Sequence, residues 1–236
     1  MKSPSFIPHF RLKLTCTLAL LALMGVVISC DPEEVYEYST SCVKYYHLIN
    51  SSDLKIKYSS FGGSNVMQVY GKVYKTVSNQ SEGEDKDLFD KLCADHGDVS
   101  FNRNFTLLSY PGFKCYYPDF LNISITSEQD YDEDHPAGSS LNDLFVIRCS
   151  SLYNWVQNSY DSESGYGPDQ KDMSLSDITE NDIRMLTFMG TQGLLFVLKP
   201  VKLPDDSTEK RFIINCQGND GIMYYGTIDC ILENSF

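Results

Sequence analysis

The chain has 236 residues, enough for one domain or two small ones with a proper core, and 32 acidic against 19 basic residues give a net charge of −13. Nucleic acid and bare anionic lipid are not attracted to such a field, which argues against both as partners. Its eight cysteines contain no Cys-x-x-Cys pair, which excludes zinc-ribbon and thioredoxin-type sites.

The first 29 residues read as an export signal in three parts. Lys2, Arg11 and Lys13 make a positive start. The apolar run from Leu14 to Ile28 is short of the roughly 20 residues that cross a bilayer comfortably. Small Ser29 precedes Cys30, and Val27-Ile28-Ser29-Cys30 reads as a bacterial lipobox. Cutting before Cys30 would leave a cysteine carrying a diacylglycerol on sulfur and a third acyl chain on nitrogen. Each buried CH₂ contributes about 0.8 kcal/mol, and stable anchoring needs more than one chain. The expected organisation is a signal peptide over 1–29, an acidic tether over 30–40 and a β-rich globular body over 41–236, with a sub-boundary near 118. Loss of the signal removes three basic and no acidic residues, leaving 16 basic against 32 acidic.

Past the tether, Cys42 to Ile49 is β-prone. Leu54-Lys55-Ile56-Lys57-Tyr58 alternates strictly, the pattern of a strand with one wet face. Val66 to Tyr74 reads as its hairpin partner across Gly62-Gly63-Ser64. Leu88, Phe89, Leu92 and Cys93 share one helical face, and Gly97 is a natural C-terminal stop. Phe101 to Leu108, Phe113 to Tyr117 and Phe120 to Thr126 return to strand character. Glu128 to Asn142 is a charged loop. Leu144 to Cys149 reads as a strand buried on both faces, and Asp161 to Asp172 as a polar loop. Thr179 to Asp182 could cap a short helix ending near Leu186. Leu194 to Lys199, Arg211 to Cys216 and Ile222 to Leu232 are strands, the last two joined by a Gln217–Gly221 turn. These elements predict a mainly β fold: an antiparallel β-sandwich, Ig-like, with one or two short helices.

Six cysteines remain in the body: Cys42, Cys93, Cys115, Cys149, Cys216 and Cys230. An even number in an oxidising compartment predicts up to three disulfides, buried free thiols being the alternative. The final turn would place Cys230 opposite residues 209–211, too far from Cys216 for that pair to bridge.

Candidate chemistry is sparse. Asp130, Asp132 and Asp134 alternate in the acidic loop and could offer hard oxygens to Ca²⁺; an EF-hand is excluded by His135 at its glycine position and Leu141 at its glutamate position, and a solvated loop is the plainer reading. Tyr166, between two glycines, and nearby Tyr160 are candidate aromatic platforms for a sugar. Asp206-Ser207-Thr208 resembles a short bacterial O-glycosylation motif, with Ser207 as acceptor. The chain has no His-Glu-x-x-His, Gly-x-Ser-x-Gly or phosphate-loop motif, and no cofactor is expected.

The lipobox, the acidic run after it and the strand-rich C-terminal half resemble cell-surface lipoproteins of the Bacteroidota type. The stretches Ile123–Asp143 and Leu175–Leu186 carry the rest of the likeness. The resemblance implies a small β-rich exported lipoprotein and brings no catalytic residues. In such proteins acidic residues after the lipidated cysteine resemble a surface-export signal, here Asp31, Glu33 and Glu34. In enteric-type bacteria an Asp there resembles an inner-membrane retention signal. The expected location is the outer membrane, lipid-anchored and facing the exterior, with the periplasmic face as the alternative. The expected function is a non-enzymatic binding or accessory module for a glycan or a partner membrane protein. The alternatives are a carboxylate-dependent glycan hydrolase, which two carboxylates at glycosidase spacing would mark, and an envelope assembly accessory.

Overall fold

Period-two patterning carries most of the body into strands, and the computed structural model describes residues 37–49, 52–61, 64–101, 103–105, 112–161, 167–187 and 192–233. In chain order these form β1 (Glu37–Ser39), β2 (Val43–Ile49), β3 (Lys55–Phe61), β4 (Ser64–Tyr70), β5 (Val73–Ser78), helix α1 (Glu84–His96), β6 (Arg103–Phe105), β7 (Phe113–Tyr117), β8 (Phe120–Ser127), a 3-10 turn (Asn142–Leu144), β9 (Phe145–Ser151), α2 (Tyr153–Gln157), β10 (Asp169–Ser174), α3 (Glu180–Ile183), β11 (Leu194–Pro200), β12 (Lys210–Gly218) and β13 (Met223–Cys230). The fold is mainly β, a sandwich with a few short helices, as the strand pattern predicted. Among the described residues no helix is long and apolar enough to cross a membrane.

The sandwich pairs a five-stranded antiparallel sheet, ordered β10-β9-β11-β4-β3, with a three-stranded one, ordered β13-β12-β8. Met67, Val69, Ile147, Phe196 and Leu198 from the first share a core with Ile123, Ile125, Phe212, Ile214 and Tyr224 from the second. The two sheets touch along one edge, where the segment entering β3 lies on β13. Leu54 N–H donates to Tyr225 C=O at 2.7 Å, and Tyr225 N–H to Ser52 C=O at 2.7 Å. Gly226 permits this approach, since a Cβ there would stand 2.7 Å from the Leu54 carbonyl oxygen.

A third sheet, β5-β2-β7, contains a parallel pair, β2 with β7, where only antiparallel pairing was expected. A parallel pair needs a long crossover, and the intervening chain, α1 included, supplies it. Helix α1 ends on left-handed Gly97 and buries Phe89, Leu92 and Cys93 in a second core with Tyr46, Val77, Phe101 and Trp155. The chain passes repeatedly between the two cores, and one crossing lies at 118, between β7 and β8.

Four local expectations are corrected. The Val66–Tyr74 run is not one strand: it breaks at Gly71-Lys72, and β4 joins the sandwich while β5 joins the third sheet. Gly71 sits tightly in that corner, where a Cβ would meet Ile49 Cδ1 at 2.4 Å. β9 is not sealed on both faces; Arg148 faces water and binds Asp172 at 2.9 Å, and central β11 is the doubly buried strand. The expected loop over 161–172 contributes its end to edge strand β10, while α2 was not foreseen. Helix α3 stops at Ile183, short of Leu186.

The cysteine expectation divides. Cys230 lies opposite Lys210 and Cys216 opposite Tyr224, so the register separates those two thiols as predicted. The disulfides are not formed: all six body cysteines are free and buried. They are split between the cores, with Cys42, Cys93 and Cys115 in the second and Cys149, Cys216 and Cys230 in the first. Burial pushes the Cys93 and Cys149 thiols up to about 12, leaving little reactive thiolate at neutral pH.

Candidate functional site

The wet face of β3 carries Lys55 and Lys57, which alternate with half-buried Ile56. Its partner β4 sets Tyr70 opposite Lys55 and Gln68 opposite Lys57. After the break at Gly71, Lys72 joins them. With Asp53 ahead of β3, Thr227 on β13 and Gln192 ahead of β11, these side chains line an open groove of about 750 Å³. A ladder stiffens one wall: Tyr70 O–H donates to Gln68 Oε1, and Gln68 Nε2 donates to Ser59 Oγ at 2.6 Å. The Lys57 ammonium lies 5.1 Å from the Tyr70 ring centroid, within cation–π reach.

The electrostatics of the groove run against those of the chain. Lys75, Lys202, Lys210, Arg148 and Arg211 each hold a carboxylate within 4 Å, whereas Lys55, Lys57 and Lys72 form no ion pair among the described residues. Sequence reasoning noted the alternation of β3 and missed its charge. The signal was present: residues 43–78 contain five lysines and a single acidic residue, Asp53, in an otherwise acidic chain.

The acidic loop is built differently from a cation site. Asp132 is buried, and its Oδ1 accepts the N–H groups of Asp134 at 3.1 Å and His135 at 2.9 Å, with His135 Nδ1 at 2.6 Å. Its Oδ2 takes Lys202 Nζ at 2.6 Å. Asp130 accepts Ala137 N–H at 2.8 Å, and Asp134 is exposed. Among the described residues no group of three such side chains is placed to hold a metal. The Ca²⁺ expectation for Asp130, Asp132 and Asp134 gains no support from this arrangement, in which the Asp132 oxygens are occupied by an ammonium, an imidazole and backbone donors. The Lys202 and His135 hydrogen bonds hold Asp132 well below the usual carboxylate range.

His135 is raised from 6.5, chiefly by its bond to Asp132 and then by Asp143 at 3.2 Å. A raised folded-state value favours the protonated ring. The stabilisation is complete below about pH 6.5 and is lost as pH rises through the raised value. We expect the melting-temperature difference between wild type and His135→Asn to be largest near pH 6 and to shrink by pH 9. A difference constant across that range would contradict the assignment.

No protein-family model, curated protein or solved structure matches this chain.

The other predicted site residues scatter. Tyr160 is no exposed platform: it is buried in the second core at positive φ, its hydroxyl donates to Asp98 at 3.0 Å, and Phe101 and Trp155 pack edge-on against it. The apolar rings of that core explain the correction. Tyr166, Cys30, Asp31, Glu33 and Glu34 lie outside the described residues. Ser207 is exposed in the loop before β12, beside Asp206, which binds Thr208 Oγ1 at 2.9 Å and Lys210 Nζ at 2.8 Å.

The second core also hides a polar chain that the sequence did not reveal. Tyr46 O–H meets His96 Nδ1 at 3.1 Å, and His96 Nε2 meets Asp119 Oδ2 at 2.8 Å. Asp119 further accepts Met185 N–H at 2.9 Å and Arg184 Nε at 3.3 Å. Arg184 stacks on the Tyr153 ring, 4.2 Å from its centroid. Burial by itself would raise Asp119, but the His96 bond and the Arg184 charge outweigh it and hold the carboxyl below its usual value. Both ring nitrogens of His96 are engaged and the ring is buried, so the chain works as a clasp tying α1, β2, α2 and the end of α3 together.

Proposed function

We propose that the protein is a lipid-anchored envelope protein, held through Cys30 in the outer membrane with its body facing the exterior, and that this body is a non-enzymatic binding module. The groove between β3, β4 and β13 is its ligand seat. One observation carries the reading: an acidic body gathers three lysines, which form no ion pair among the described residues, and a single carboxylate, Asp53, around one open groove on paired strands. Groups fixed on strands hold a ligand at low reorganisation cost. The sequence supports the anchor, through the lipobox and the acidic Asp31, Glu33 and Glu34 that follow it. Its partners are then the membrane lipid and a glycan or partner membrane protein.

Fractionation tests the anchor. Cys30→Ala should move the protein from the membrane pellet to the soluble fraction, because the acyl chains supply the membrane affinity. Replacing Asp31, Glu33 and Glu34 by Ala should reduce cleavage by protease added to whole cells. Unchanged pelleting of the first variant would overturn the anchor, and unchanged cleavage of the second would overturn the surface address.

A further inference from the structure

We propose that the groove lined by Lys55, Lys57 and Lys72 binds an acidic saccharide, a sugar chain bearing carboxylate or sulfate groups. The inference rests on the binding-module reading and names the ligand class for the same site.

Lysines repel one another, and a protein with an excess of acids has carboxylates to spare for them. Lys75 and Lys202, among others, have taken one. Among the described residues Lys55, Lys57 and Lys72 have not, which leaves their charges to an anion. Lys55 and Lys57 are two residues apart on one strand face, about 6.5–7 Å along the strand, so an anion row running with β3 would meet both.

The groove suits a saccharide better than a peptide. Peptides on sheet edges are held mainly by main-chain pairing. Two backbone donors at this groove are already engaged: Leu54 N–H is bonded to Tyr225 C=O at 2.7 Å, and Gly71 N–H to Gly193 C=O at 2.9 Å. The side chains the groove offers a ligand are three ammonium groups against the single Asp53 carboxylate, the Thr227 hydroxyl, the Gln192 amide and the Tyr70 ring. That set suits a molecule offering hydroxyls between its charges and apolar ring faces.

One wall of the groove is preorganised. The Ser59–Gln68–Tyr70 ladder holds the ring before any ligand arrives, and Lys57 is laid against it. An open groove of about 750 Å³ admits an oligosaccharide as a segment of a longer chain.

The test uses detergent-solubilised full-length protein and isothermal titration at two salt concentrations. The probes are oligogalacturonate, chondroitin sulfate, neutral dextran and poly-glutamate. At least one acidic saccharide should bind, with affinity falling as salt rises from 50 to 300 mM. It should weaken at least tenfold in the Lys55→Gln/Lys57→Gln/Lys72→Gln variant. That variant should melt like wild type, because none of the three lysines has an ion pair to lose among the described residues. Tyr70→Ala, which leaves all three charges, should also weaken saccharide binding. Equal binding of an acidic saccharide by the triple variant would overturn the proposal. Stronger binding of poly-glutamate would make the ligand an acidic peptide and overturn the saccharide class, leaving the binding module standing. Binding of dextran alone would do the same in favour of a neutral glycan. If no probe binds, both the ligand class and the groove as ligand seat fall.

Discussion

Asp119→Ala should destabilise the protein by about 3–5 kcal/mol, the scale for breaking a buried charged network by removing one partner. The carboxylate is fully buried and receives His96, Arg184 and the Met185 amide at 2.8, 3.3 and 2.9 Å. Removal strands His96 inside the second core and leaves the Met185 N–H without its acceptor. It also frees Arg184 from the element it tethers. Urea unfolding measures the effect as a fall in midpoint at unchanged slope. Asp119→Asn keeps an acceptor for Met185 and loses the charge, so it should fall between wild type and Ala. The pH dependence has a defined sign. A lowered carboxyl contributes stability that is present above its unfolded value of 3.8 and is lost as pH falls through the folded one. Acid unfolding of wild type should therefore contain a component below about pH 4 that Asp119→Asn lacks. A midpoint for Asp119→Ala within about 1 kcal/mol of wild type would show that the clasp contributes little.

Phe212→Ala should cost about 3–5 kcal/mol. Phe212 is fully buried on β12, the middle strand of the three-stranded sheet. Its ring packs edge to face with Phe145 at 6.2 Å and Tyr131 at 6.3 Å, and those two lie 6.4 Å apart. The three rings join β12, β9 and the acidic loop. Truncation empties the centre of the trio, forfeiting its edge-to-face contacts as well as burial. Met223→Ala, on an exposed position of β13 in the same sheet, serves as control and should stay within about 0.5 kcal/mol of wild type. Chemical denaturation reads both variants. A loss below about 1.5 kcal/mol for Phe212→Ala would mean that the sandwich collapses around the gap.

Much of the architecture was legible locally. The strict alternation of Leu54 to Tyr58 marks β3, and the Gln217–Gly221 turn sets the β12–β13 register that pairs Lys210 with Cys230. Leu88, Phe89, Leu92 and Cys93 before Gly97 mark α1. Errors arose where a local pattern has two tertiary outcomes. Val66 to Tyr74 is uniformly β-prone, and its break at Gly71 follows from Ile49 and Gly193, which crowd that corner. Tyr160 follows a polar stretch and precedes a glycine-containing one, yet Asp98, 62 residues away, draws its hydroxyl inward. The cysteine count carries parity and no geometry, so it could not reveal that two cores divide the six thiols.

The candidate site was legible only as fragments. The lysines of β3 were visible as a wet strand face, and the local lysine excess over 43–78 was there to be read. That Thr227 and Gln192 meet them is decided by β13 lying against the start of β3 and by the corner at Gly71. The clasp was not legible at all, because His96, Asp119 and Arg184 are separated by 23 and 65 residues. The sequence by itself determined the strand-rich class, the main helix, the last hairpin and the acidic balance, since each depends on neighbours within a few residues or on a sum over all of them. Only the tertiary structure decided which sheets stack, which thiols share a core and which lysines share a groove. Those outcomes depend on pairings across dozens of residues, whose closure entropy is offset by burial that no local pattern encodes.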